Sequence, residues 1–143
     1  MNTDLKALIV LFKAHQSVLN KVKQTLENSS LNLNEFMVLE ALNTKGSLTT
    51  HELGSTCLIP NSSLTYVLDI LAQKNLIHRR KKETDRRIQT LELTPQGSHQ
   101  FNVIYKEHYD QMRTLFDILE VHEEQALIDS LKKLGKKAQE DIS

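Results

Sequence analysis

The sequence predicts a mainly α-helical fold with a small β-wing, and three observations carry that expectation. A short capped helix beginning at Thr49 is followed, after Pro60, by a second helix of about 60–74 whose polar side carries hydroxyls and amides. Apolar residues recur at helical spacing on both flanks, about 4–27 and 95–140, as amphipathic helices require. Between Leu76 and Leu93 the pattern changes to two strands around a basic tip, HRRKKETDRR. Together these describe a winged helix-turn-helix block of about 32–94, set between flanking helices in a single domain of 1–143.

Residues 4–27 place Leu5, Leu8, Phe12, His15, Leu19, Val22 and Leu26 at spacings of three and four, a seam for another helix. His15 on that seam reads either as a packed, hydrogen-bonded histidine or as a polar group lining a pocket. Asn28-Ser29-Ser30 breaks the helix. Asn32 with Glu35 forms a capping box, stapled by Leu31 and Phe36, and opens a core helix of 33 to about 43 that Lys45-Gly46 ends. A short strand around Ser47-Leu48 is expected to join the wing's sheet.

Thr49 with Glu52 is a second capping box, with Leu48 and Leu53 at its staple positions. Pro60 pushes residue 59 off helical angles and suits the first turn of the next helix. That helix buries Leu64, Val67, Leu68 and Leu71. Leu76-Ile77 starts one strand, and Ile88, Leu91 and Leu93 continue the returning one. Thr94-Pro95 opens a helix of about 95–118 with a broad stripe of Phe101, Ile104, Tyr105, Tyr109, Met112, Leu115, Phe116 and Leu119. The last helix, about 122–140, offers Leu127, Leu131, Leu134 and Ala138. Glu123 and Glu124 sit at its positive end and four lysines toward the other, as the helix dipole favours; its start lacks a Ser or Thr cap.

Composition bounds the function. With 25% charged and 39% apolar residues, the chain falls among ordinary globular sequences. No apolar run approaches the roughly 18–20 residues that span a bilayer. Asp4 precedes the N-terminal apolar patch and no small-residue cleavage site follows, so a helix is expected there rather than a secretion signal. A single cysteine, Cys57, cannot form an intramolecular disulfide, and the cytoplasm is the expected compartment. The sequence has no Gly-rich phosphate loop, metal-ligand cluster or nucleophile–base set; six histidines are scattered. The expectation is a non-enzyme without cofactor or metal.

At about 100° per residue, Ser62, Tyr66, Asp69 and Gln73 point away from the apolar stripe of helix 60–74. Ser63 and Thr65 flank them, and Asn61 lies at the entry end. Small hydroxyls and amides approach base edges closely, donate or accept, and touch a thymine methyl. The same residues in a first turn can also simply cap their own helix. The next segment favours the first reading. From Lys74 to Arg87 seven basic residues face Glu83 and Asp85, a net +5 on a chain with 18 charges of each sign. A basic tip one ribbon away from a polar-faced helix is the footprint of phosphate contact, with Arg80, Lys82, Arg86 and Arg87 as candidates.

Leu48-Thr49-x-x-Glu52-Leu53, Ser62-Ser63-Leu64-Thr65, Leu76-Ile77-x-Arg79, Asp85-Arg86-Arg87 and Leu93-Thr94-x-x-Gly97, in this order and spacing, resemble the MarR family of bacterial transcriptional regulators. The motifs cover about half the chain. The resemblance implies a homodimer with one recognition helix per subunit in the major groove and the wing in the minor groove. It makes Arg87 the wing arginine, Arg86 a second contact, and Asp85 the group orienting the arginines. An arginine entering a narrow minor groove meets concentrated negative potential, and a nearby carboxylate can hold its guanidinium.

The function expected is a dimeric, sequence-specific regulator, a repressor, on a pseudo-palindromic site in double-stranded DNA. The surplus apolar surface of the terminal helices would face a second subunit. The resemblance also implies release by a small phenolic or aromatic effector, for which Phe12, His15, Phe36, Tyr105 and Tyr109 are candidate liners. Two alternatives stay open: a protein-interaction module, and a constitutive DNA binder without effector. Cys57 is expected as a small buried hydrophobe. A redox-sensing role would need exposure and a lowered pKa, and oxidant-sensing relatives carry their cysteine in the first helix, where this chain has none.

Overall fold

The structure, a computed structural model, describes residues 4–142; Met1 to Thr3 of the N-terminal stretch, and Ser143, lie outside the described residues. The helices are α1 (Lys6–Thr25), α2 (Leu33–Lys45), α3 (Thr50–Cys57), α4 (Asn61–Gln73), α5 (Pro95–Phe116) and α6 (Val121–Ile142). The strands β1 (Leu48–Thr49), β2 (Ile77–Lys82) and β3 (Asp85–Leu93) form one antiparallel sheet in the order β1-β3-β2. The mainly helical class with a small wing is as the sequence predicts. Contacts along the chain gather into two compact units, one up to His108 and the other from Tyr109.

The first unit has a core of aliphatic residues closed by two rings. Val38, Leu39 and Leu42 of α2, Leu53 of α3, Leu64, Leu68 and Leu71 of α4, Leu91 of β3 and Phe101 of α5 are almost wholly buried. The starts of α2 and α3 are fixed by side-chain caps. Asn32 accepts from the Glu35 N–H at 2.9 Å and the Glu35 carboxylate accepts from the Asn32 N–H at 2.8 Å, so the first capping box is complete. The second is only half formed. Thr49 Oγ1 accepts from the Glu52 N–H at 3.1 Å, but the Glu52 carboxylate takes the Thr49 hydroxyl instead of its N–H. Thr49 is also the last residue of β1, paired with Thr90, so its backbone faces a strand rather than a free helix end.

The turn between α3 and α4 reverses at Leu58, not at the residue before proline. Leu58 sits in the left-handed region (φ 55°, ψ 36°), an uncommon conformation for a leucine. Ile59 tucks back into the core and Pro60 precedes the first turn of α4.

The start of α5 explains the Leu-Thr-x-x-Gly motif. Thr94 is buried; its hydroxyl donates to the Asn75 carbonyl at 2.7 Å and accepts from the Gly97 N–H at 2.8 Å. A Cβ on Gly97 would lie 2.0 Å from the Leu76 carbonyl oxygen, so only glycine lets α5 approach the start of β2 this closely.

The second unit is the end of α5, a short turn and α6. Arg113 bonds the Glu124 carboxylate and also Asp117 at 2.9 Å, and its guanidinium is thereby held more firmly protonated. The missing cap of α6 is supplied from inside the helix: the Glu123 carboxylate accepts from the Glu120 N–H at 2.8 Å. That is the return half of a capping box, with Glu120 rather than Val121 as cap. No described residue of α6 is buried, and Leu127, Ile128, Leu131 and Leu134 lie exposed along it.

Candidate nucleic-acid interface

Helix α4 presents the predicted face. Asn61, Ser62, Thr65, Tyr66, Asp69 and Gln73 are exposed, Ser63 is half-buried, and Leu64, Val67, Leu68 and Leu71 are inside. Tyr66, 67% exposed, is the large side chain on that face. One hydroxyl is accounted for internally: Thr65 donates to the Asn61 carbonyl of its own helix at 3.1 Å. Ser62, Ser63 and Tyr66 line a hollow of about 370 Å³ that they share with Asn32 and Asn34 at the start of α2. Sequence reading does not place those two asparagines beside the face, because they lie some thirty residues away, where Asn32 reads only as a helix cap and Asn34 carries no signal.

The wing is a hairpin with a disturbed tip. Residues pair in register from Ile77 with Leu93 to Lys81 with Gln89, and the next pair is Lys82 with Asp85. One step along β2 therefore matches four along β3, which leaves Arg86, Arg87 and Ile88 as an unpaired bulge. Bulges re-aim side chains, and both predicted wing arginines fall in this one. Ile88, expected as an ordinary strand position, is 36% exposed within it.

Charge is distributed in detail that composition does not reveal. Four of the seven basic residues are held by carboxylates: Lys74 by Glu35 at 3.0 Å, Arg79 by Asp69 at 2.6 Å, Arg80 by Glu92 at 2.9 Å, and Arg87 by Asp85 at 3.0 Å. Lys81, Lys82 and Arg86 are exposed and in none of these pairs. Asp85 orients one arginine, not both. Its two oxygens accept from Arg87 Nε and a terminal nitrogen at 3.0 Å each, and Oδ1 also accepts from the Arg87 N–H at 3.1 Å. The bonds from the Arg87 side chain, then its backbone, hold the Asp85 carboxyl below its usual range, and Arg87 is correspondingly raised. The Arg87 side chain remains 91% exposed. It is aimed without being covered.

The candidate effector residues are only partly brought together. Phe36 packs against Phe101, Tyr105 and His108 with ring centroids 5.5, 6.5 and 4.8 Å apart. Phe12, 65% exposed, and His15, also exposed, lie along α1 outside that ring cluster. Tyr109 begins the other unit and is half exposed. His108, which the sequence pattern left without a role, is the polar member of the cluster. Thr25 Oγ1 has one proton and donates it to the Val22 carbonyl at 2.6 Å, so the 2.9 Å contact with His108 Nδ1 is the imidazole donating. This fixes the proton on Nδ1 and leaves Nε2 as the acceptor of the neutral ring; burial lowers the His108 pKa.

Cys57 is buried, with its thiol directed at the Met37 carbonyl at 3.5 Å. Burial, then the charge of Glu40, push the thiol upward, the reverse of what a reactive thiolate needs. No helix among the described residues is long and apolar enough to cross a membrane.

Comparison with known proteins agrees with this architecture. Residues 31–89 match the profile of the MarR family. The HTH-type transcriptional regulator MhqR of Bacillus subtilis is 32% identical over 137 residues, covering 96% of this chain and 94% of that protein. Among solved structures, AbsC, a MarR family transcriptional regulator from Streptomyces coelicolor, superposes with a TM-score of 0.87 at 19% identity, over 97% of this chain and 96% of its own. BpsR of Bordetella bronchiseptica, solved to explain regulation of its DNA binding by 6-hydroxynicotinic acid, gives 0.80 at 23% identity, over 91% and 98%. With a relative above 30% identity along nearly its whole length, the chain belongs to the MarR family of transcriptional regulators.

Proposed function

We propose that the chain acts as a homodimeric repressor that reads a pseudo-palindromic duplex with α4 and grips its flanks with the wing. The observation that carries the reading is the exposed, nearly uncharged face of Asn61, Ser62, Thr65 and Tyr66, with Ser63 half-buried at its edge, beside a ribbon whose exposed cations stand at its tip. Base discrimination comes from the helix and salt-dependent affinity from the ribbon. Arg87, held at the tip by Asp85, enters the minor groove; Arg80, Lys82 and Arg86 contact phosphates.

The apolar faces of α1 and α6 support self-association. Leu5, Leu8, Ile9 and Phe12 are 70%, 43%, 55% and 65% exposed, and covering such a row is what a two-fold partner provides. Two reading heads about 34–36 Å apart would then match half-sites one helical turn apart. A hydroxylated aromatic compound is the effector class, supported by the Phe36, Phe101, Tyr105 and His108 cluster and by the BpsR likeness. Selection of duplexes from a random pool tests the whole reading: inverted repeats are expected, lost on addition of the effector. Single half-sites, or no enrichment, would refute it, and sedimentation as a monomer at micromolar concentration would refute the dimer.

A further inference from the structure

We infer that the Asp69–Arg79 ion pair is a positioning device that sets the wing against the reading face of α4 and so governs specificity; this rests on the DNA-reading function proposed above. Asp69 is the sole charged residue between Asn61 and Gln73, and it stands on the outward face with Ser62 and Tyr66. A carboxylate there opposes every phosphate that approaches. Taken alone, it weakens binding to any duplex.

The structure gives that carboxylate an occupation. Its Oδ1 accepts from an Arg79 terminal nitrogen at 2.6 Å, with side chains 56% and 32% exposed. Arg79 lies at the root of β2, opposite Leu91 in β3. Only Lys74, Asn75 and Leu76 separate α4 from β2, and Asn75 takes a left-handed conformation (φ 60°). The hairpin therefore leaves the helix through a sharp turn, and the Asp69–Arg79 bond is a side-chain tie across it. Since β2 and β3 are laddered from Ile77 to Lys81, fixing Arg79 fixes the direction of the ribbon that carries Arg86 and Arg87 at its tip. A major-groove reader and a minor-groove arginine must be in register on one duplex, so the tie raises affinity for the matched site and not for DNA in general.

The test uses the full-length protein and fluorescence anisotropy on two duplexes: one enriched by the wild type from a random pool, and one random duplex of equal length. For Asp69→Asn, binding to the selected duplex weakens about three- to tenfold, as two such pairs per dimer allow, while binding to random DNA is unchanged or tighter. Loss of fold would lower both together, so the split reads positioning. Asp69→Asn combined with Arg79→Gln binds the selected duplex no more weakly than Arg79→Gln alone, because the tie is already broken. If Asp69→Asn tightens both duplexes alike, or the two changes add, the inference is overturned and Asp69 is merely repulsive. A wild type with no preference for its selected duplex instead overturns the DNA-reading function itself.

Discussion

Glu35 performs two tasks with one carboxylate, and separating them predicts two different losses of stability. Oε1 accepts from the Asn32 N–H at 2.8 Å and closes the start of α2; Oε2 takes Lys74 Nζ at 3.0 Å at the end of α4. Lys74 also donates to the Ser30 carbonyl at 3.1 Å. The Glu35 side chain is 5% exposed and that of Lys74 is 38% exposed. Removing one partner of a fully buried pair costs about 3–5 kcal/mol, but here the orphaned ammonium can turn to water, and exposed pairs are worth under about 1 kcal/mol. The intermediate burial places the pair at about 1–2 kcal/mol. Glutamine keeps an acceptor for the Asn32 N–H and loses only the charge, so Glu35→Gln costs about 1–2 kcal/mol. Glu35→Ala also leaves the Asn32 N–H unpaired, about 1 kcal/mol more. Urea unfolding at fixed protein concentration measures both, concentration being held because association shifts apparent stability. The ordering wild type, Gln, Ala is the result expected. Glu35→Gln within about 0.5 kcal/mol of wild type, or no difference between the two variants, refutes the assignment of separate roles.

Gly97→Ala drives a Cβ to within 2.0 Å of the Leu76 carbonyl oxygen. A backbone atom cannot rotate away, so a loss of roughly 2–4 kcal/mol is expected by the same urea titration. Arg86→Ala leaves the melting temperature unchanged and reduces the slope of log K against log salt by about 1 per subunit, measured by filter binding at four salt concentrations; an unchanged slope sinks its phosphate role. His108 imposes a pH dependence with a fixed sign. Its folded pKa is lowered from an ordinary 6.5, so folding excludes a proton that the unfolded chain takes up. The His108 contribution to stability is then flat above pH 7 and falls as pH drops through 6.5, the fall ending below the folded-state value. His108→Gln flattens that segment of the profile, and a wild-type profile no steeper than the variant's contradicts the burial argument.

What the sequence discloses is what lies within a few residues of itself. The starts of α2 and α5 were legible because Asn32 with Glu35, and Thr94 with Pro95, do their work over three or four positions. The outward face of α4 was legible for a similar reason: rotation per residue is fixed by the helix, so burial of Leu64, Val67, Leu68 and Leu71 dictates where Ser62 and Tyr66 point. Failures begin where the local rule has a rival. The sequence points to Pro60 for the turn before α4, yet the reversal falls on Leu58, a residue type rarely found at positive φ, so no pattern nominates it. The start of α6 has no hydroxyl before the helix, and its acceptor comes instead from Glu123 inside it.

The candidate interface divides along the same line. That the wing is basic can be counted; which cations stand free cannot. Arg80 finds Glu92 across the ladder, Arg79 finds Asp69 on another element, and Lys74 finds Glu35 thirty-nine residues away. These pairings depend on the register of β2 with β3 and on the packing of α4 against α2. The consequence is functional, not only descriptive. A cation already held by a carboxylate must either break that bond to reach a phosphate or carry the carboxylate toward it, so its gain on binding is smaller than that of a free one. On the proposed reading, Lys81, Lys82 and Arg86 therefore supply more of the electrostatic affinity than the count of seven suggests. On that same reading Arg79 and Lys74 shape the surface, Arg80 gains less from a phosphate because Glu92 already holds it, and Arg87 is aimed by Asp85 through its guanidinium while its side chain stays 91% exposed.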